Sequence, residues 1–208
     1  MQILPFCDII GKDSRMRTVR GLSFRRRKKK ISLTSIQKAA LWIGEVVLAF
    51  VIGCMLAWFF GFTLSNVGQS MEPAIYSGDR VLVNRLIYEL KTPDYGDLIV
   101  FKPNGNQNAH YHIKRVAGKP GDTVTIESGR VFINGEVLDE KVQTESMADA
   151  GLAEEGITLG EDEFFVLGDN RNNSEDSRSA DIGNVKREDI LGKAWFIIAP
   201  GERFGFLR

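Results

Sequence analysis

From Leu41 to Leu64 the chain is apolar at nearly every position, and Glu45, near the start, is its only charge. Some two dozen helical residues at about 1.5 Å each cover the roughly 30 Å hydrocarbon core of a bilayer, so residues 39–64 are expected to form a single transmembrane helix. The run is longer than the apolar centre of a cleaved signal peptide. Phe60-Gly61-Phe62-Thr63 at its end offers no small-x-small exit, so it reads as an uncleaved anchor.

Past Ser65 the pattern shifts to short runs of Val, Ile, Phe and Thr punctuated by Gly, Pro, Asn and Asp. Residues 80–84, 97–101, 111–116, 123–126, 130–133, 163–167 and 193–198 read as strands, and Asn134-Gly135 is a strong hairpin signal. The expected fold is mainly β: one N-terminal transmembrane helix followed by an antiparallel β domain over residues 65–208. Residues 123–163 form a hairpin and an acidic insertion within it. The acidic part, between Lys141 and Glu163, shows little β pattern and reads as a solvated surface segment.

Charge divides the chain further. Residues 1–38 hold eleven Lys and Arg against two Asp, whereas the rest holds sixteen against twenty-five acidic residues, so a zero total conceals +9 and −9 halves. The basic tail, with its run at residues 25–30, has no sustained apolar period and reads as disordered. Beside an apolar span it marks the cytoplasmic side and meets anionic lipid, in preference to nucleic acid. The remainder of the chain then lies on the extracytoplasmic side of the membrane. Cys7 and Cys54 are the only cysteines, so no disulfide staples the β domain, and with His110 and His112 as the only histidines a zinc site of the usual N/S type is not expected.

One loop serine follows the apolar run closely, in Val67-Gly68-Gln69-Ser70-Met71-Glu72-Pro73. It needs a base. On an extended strand His110, His112 and Lys114 alternate onto one face and Tyr111, Ile113 and Arg115 onto the other, so either a histidine or the lysine could serve. An ordinary lysine, pKa about 10.4, is neutral in roughly one molecule in a few thousand at pH 7. Burial that lowers this by about three units makes it a competent base.

Five blocks then carry a resemblance. They are Gly68-x-Ser70-Met71-x-Pro73, Gly78-Asp79-x-Val81-Leu82-Val83, Gly96-Asp97-Leu98-Ile99-Val100-Phe101, Ile113-Lys114-Arg115-Val116-x-Gly118-x-Pro120-Gly121-Asp122, and Gly168-Asp169-Asn170-Arg171-x-Asn173-Ser174-x-Asp176-Ser177-Arg178. In this order, behind one anchor, they resemble the bacterial type I signal peptidases, over nearly all of residues 41–200. The resemblance implies a β fold of the signal-peptidase and repressor-protease type, with no cofactor. It implies that Ser70 is a nucleophile and Lys114 its general base, and that Ser174 orients the lysine amine. Asp176 and Arg178, with Asp169 and Asn170 in the same block, would support the site. The implied substrates are secretory preproteins, cut after small residues at −1 and −3. The implied pocket residues are Met71 and Ile113, with Val67 and Ile75 further candidates and His112 lining the pocket.

The chain departs from the family at several points. Gly68 stands where some members carry a serine hydroxyl that helps bind the oxyanion. His112 precedes Ile113-Lys114 where tyrosine is common, and Lys119 replaces an apolar residue. Two other readings stay open: a self-cleaving repressor-type Ser/Lys protease, against which the anchor and tail argue, and a non-catalytic membrane-tethered β module.

Overall fold

The computed structural model describes residues 33–106, 108–140, 142 and 144–207. The basic run at residues 25–30, Cys7 and most of the tail expected to be disordered lie outside the described residues. Residues up to Glu45 fall in one compact unit and Val46–Arg208 in another. Helix α1 runs Leu33–Phe60. Its segment Ile36–Trp58 is long and apolar enough to cross a membrane, and none of it is buried within the protein.

The helix stops where a side chain no longer fits. Gly61 N–H still donates to Ala57 O at 2.8 Å. A Cβ at Gly61 would lie 2.3 Å from that oxygen. The next residues, Phe62–Ser65, form strand β1. The expectation of helix to Leu64 is therefore corrected: Phe62, Thr63 and Leu64 pair with Val83, Leu82 and Val81 of strand β2, Arg80–Asn84. Phe62 and Leu64 pack on the β core as apolar strand residues.

After a single helical turn α2 (Ile87–Leu90) come β3 (Leu98–Phe101) and β4 (His112–Gly118). Strands β5 (Thr123–Glu127), β6 (Arg130–Ile133), β7 (Glu136–Val137) and β8 (Ile157–Thr158) make a small antiparallel sheet in the order β7-β6-β5-β8. The turn between β6 and β7 uses Asn134 and Gly135, both at positive φ (53° and 86°), as an Asn-Gly hairpin requires. Strands β9 (Glu163–Leu167), β10 (Val185–Lys186), β11 (Ile190–Ala199) and β12 (Gly205–Phe206) complete the main sheet. Its order is β1-β2-β11-β3-β4-β9-β10, with β12 on β11.

Strand β3 is buried along its whole length because both faces of the main sheet are covered. Leu98 and Val100 join a core containing Met71, Ile75, Val81, Val83 and Ile113. Ile99 and Phe101 join another with Val116, Phe164 and Val166. This double burial explains why β3 shows no apolar-polar alternation. The acidic stretch is less peripheral than its composition suggests, since Met147, Ala153 and Leu159 are buried in the core of the small sheet.

Candidate active site

Ser70 lies in the connection between β1 and β2, and that connection is closed at its neck. Asn66 N–H donates to Asp79 O at 2.7 Å and Gly78 N–H to Asn66 O at 2.9 Å. The Asn66 amide also donates to Gly68 O and Tyr76 O. Met71 and Ile75, each with 0% exposure, plug the connection into the core. Burying two large apolar side chains contributes on the order of 1.5–3 kcal/mol each, enough to hold a loop in one conformation. The resemblance placed Met71 and Ile75 in the substrate pocket; the structure puts both inside the core, where they fix the serine from beneath.

Lys114 comes from β4, paired in register with Ile99. Its Nζ donates to Ser70 Oγ at 2.7 Å. The residue is 3% exposed. Burial pulls its pKa from the ordinary 10.5 down to about 8, against the opposing pull of the Asp176, Glu175 and Asp169 carboxylates. His112 shares this face of β4, as Phe101↔His112 and Ile99↔Lys114 pair side by side. Its pKa is lowered, first by burial and then by the charge of Lys114. His110 precedes the strand and is exposed.

The turn after β9 closes the site. Asn170 N–H donates to Ser70 O at 3.0 Å. Gly168 is indispensable to this approach, since a Cβ there would lie 2.2 Å from Ser174 Oγ and 2.5 Å from Ser70 O. Asp176, wholly buried, accepts Gly168 N–H at 3.0 Å and two bonds from the Arg178 guanidinium at 2.8 and 2.9 Å. Arg178 extends the brace to Arg171 O and Asp149 O. Asp169 takes both ends of the Arg115 guanidinium at 2.7 Å, on the opposite face of β4 from Lys114. Ser174 sits against Gly168 with its hydroxyl buried, bonded to no described residue, the Lys114 amine included.

Ser70 and Lys114 line a groove of about 440 Å³ bounded by Leu64 to Val67 and by Ala109 to Ile113. Val67 (88% exposed), His112 and Ile113 of the expected pocket residues reach it. Leu64, at the end of the apolar run, and Ser65 and Asn66 just after it line the groove too and were not singled out from sequence. A larger cavity of about 690 Å³, lined by Tyr95, Arg115, Leu138 and Leu207 among others, contains neither Ser70 nor Lys114. Among the described residues no group of His, Cys, Asp or Glu is placed to hold a metal ion.

A hydroxyl beside a buried amine of lowered pKa, open to a groove on a β domain, is the equipment of a peptidase. The model of the family "Signal peptidase, peptidase S26" matches residues 39–199, and the chain belongs to that family. It is 39% identical over 144 residues to the probable signal peptidase I-2 of Synechocystis sp., a match spanning 67% of this chain and 63% of that protein. It is 40% identical over 146 residues to the signal peptidase I of Leptolyngbya laminosa (67% and 69%) and 31% over 183 residues to that of Bacillus amyloliquefaciens (83% and 95%). A crystal structure of a signal peptidase I from Enterococcus faecalis is 32% identical, with a TM-score of 0.41, covering 50% of this chain and 97% of that one.

Proposed function

We propose that this chain is a membrane-bound serine endopeptidase that removes N-terminal signal peptides from exported preproteins, with Ser70 as nucleophile and Lys114 as general base. The observation that carries the reading is the 2.7 Å contact between Ser70 Oγ and a lysine amine whose pKa burial brings to about 8. At pH 7 about one such amine in ten is neutral, against one in a few thousand for an ordinary lysine.

In the neutral form the Lys114 nitrogen accepts the Ser70 proton as Oγ attacks the scissile carbonyl. It then returns that proton to the departing amine as the C–N bond breaks, leaving an acyl-enzyme. Water, deprotonated by the same amine, cleaves the ester and restores Ser70. The Ser70 backbone N–H, which donates to no acceptor among the described residues, serves the oxyanion. Gly68 contributes no hydroxyl to it.

Strand β1 is an outer strand of the main sheet and lines the groove, so an extended peptide can lie along it with its small −1 and −3 side chains toward Val67, His112 and Ile113. The α1 helix holds the enzyme in the bilayer that also holds the signal sequence, with the tail cytoplasmic and the β domain extracytoplasmic. Shared anchoring raises their effective concentration without added contacts.

The test is cleavage, in detergent, of a preprotein with an Ala-x-Ala site by wild type, Ser70→Ala, Lys114→Ala and His112→Ala. Both dyad variants are expected to lose activity by about 10³-fold or more, and His112→Ala to keep most of it. Full cleavage by Ser70→Ala would overturn the nucleophile and favour a non-catalytic binding module. Retention by Lys114→Ala with loss by His112→Ala would move the base to the histidine.

A further inference from the structure

The Ser70 N–H belongs to the same peptide unit as the Gln69 carbonyl, and that unit is planar, so whatever holds the carbonyl also aims the N–H. Gln69 O accepts from Glu72 N–H at 3.1 Å and from the Asn170 side-chain amide, Nδ2, at 3.2 Å. The following peptide unit is held by the same residue, through Asn170 N–H to Ser70 O at 3.0 Å. Asn173 Nδ2 reaches the Gln69 side chain, Oε1, at 3.3 Å. On the other side the bracing ends at Gly68, whose N–H donates to Ser77 Oγ at 3.4 Å and whose carbonyl accepts from the Asn66 amide at 3.2 Å; Gly68 has φ +100°, and no atom lies within 4 Å of where its Cβ would be. Beyond Gly68 the Gln69–Ser70 peptide unit is held by Glu72 N–H from within the loop and by Asn170 from the β9 turn.

We infer that Asn170 is a positioning residue for the reaction: it grips the two carbonyls flanking the nucleophile and holds the Gln69–Ser70 peptide plane with its N–H directed at the developing oxyanion. The inference rests on the reading of Ser70 as nucleophile. A side-chain amide suits the task because it donates to a carbonyl, which a carboxylate of the same size cannot do. Donation into the Gln69 carbonyl also polarises the amide and strengthens its N–H as a donor. With Gly68 supplying no hydroxyl, aim at this one N–H carries more of the oxyanion stabilisation. The Asn170–Gln69 bond faces solvent, so truncating the side chain strands no buried partner and leaves the fold intact.

The experiment uses the full chain in detergent with the Ala-x-Ala preprotein, comparing wild type, Asn170→Ala and the isosteric Asn170→Asp. It adds inhibition by a peptide aldehyde, whose hemiacetal oxygen takes the oxyanion position, against binding of the matching peptide amide. Asn170→Ala is expected to lower kcat about tenfold, less than the hundredfold or more for deleting an oxyanion donor outright, with KM within about twofold. Aldehyde affinity should fall by the same factor as kcat, amide affinity should hold, and the pH at which activity rises should not move. Asn170→Asp should be at least as impaired. Wild-type kcat in Asn170→Ala, wild-type kcat in Asn170→Asp, or a loss confined to KM would each overturn the inference. A displaced pH profile would also overturn it, because Asn170 would then act through Lys114. The underlying reading fails by a different result, full cleavage by Ser70→Ala.

Discussion

Ser70 Oγ and Lys114 Nζ stand 2.7 Å apart although 44 positions separate them in the chain. The contact spans two separately supported pieces: the serine rides on a connection seated in the core by Met71 and Ile75, and the lysine on a strand paired on both sides, to β3 and β9. Each is held by core residues other than Ser70 and Lys114, Met71 and Ile75 packing with Ile113 of β4 in one cluster. Substitutions in the dyad should therefore alter chemistry without dismantling the domain.

The first prediction concerns pH. On the proposed mechanism, in which the neutral amine of Lys114, with a pKa of about 8, is the base, kcat/KM should rise about tenfold for each pH unit below that value and level off above it. The measurement is a kcat/KM profile from pH 6 to 10 on a peptide with no titrating group in that range. A rise centred near pH 6 to 7 would point to His112 instead.

Lys114 should also weaken the fold it serves. Its folded pKa, about 8, lies below the ordinary 10.5, so between these values the unfolded chain binds the extra proton and stability rises with pH. Below pH 8 the native state carries the full cost of a buried ammonium, on the order of 3 kcal/mol. Lys114→Met is thus expected to be inactive yet more stable at pH 7, by a margin that shrinks as pH rises from 8 to 10.5. Thermal or urea unfolding at pH 7, 9 and 10.5 checks both the sign and the window.

Asp176 has two effects that one substitution separates. Its charge raises the Lys114 pKa, and its carboxylate ties Arg178 to Gly168 N–H. Asp176→Asn should move the rise in kcat/KM to lower pH, while leaving Arg178 without its buried counter-charge and lowering stability by about 3 kcal/mol or more. A profile unmoved from wild type would show that the carboxylate acts only as a brace.

Gly168→Ala tests how tightly the β9 turn sits on Ser70. The new methyl group would meet Ser174 Oγ, Ser174 Cβ and Ser70 O at 2.2, 2.5 and 2.5 Å. Overpacking of this kind costs about 1–3 kcal/mol, and a displacement of about 1 Å at the serine costs roughly a hundredfold in rate. Adding Ser174→Gly removes two of the three collisions and is expected to recover part of the rate. Steady-state kinetics on the single and double variants measures that recovery.

Much of this was legible from residues alone. The limits of β2, β6 and β9 match the alternating or apolar runs that announced them, and the Asn134-Gly135 turn follows from the need for two positive φ values in sequence. The shared face of His112 and Lys114 follows from strand periodicity. Strand β1 was hidden because Phe62-Thr63-Leu64 prolongs an apolar run, and periodicity cannot tell the end of a membrane helix from a short apolar strand. The family resemblance put Met71 and Ile75 among the pocket residues, yet which way a loop side chain turns is decided by the sheet beneath it, and both are fully buried in the core. The placement of β11 between β2 and β3 is equally beyond local pattern, since it is a matter of long-range pairing.

The junction at Gly61 has a mechanical consequence for the proposed enzyme. A single residue joins the last helical turn to β1, and β1 forms part of the groove, so the groove begins within a few residues of the helix end. On the proposed function, a cleavage site would have to come within that short length of chain from the helix end, which would add a criterion of distance to the proposed side-chain preferences at −1 and −3.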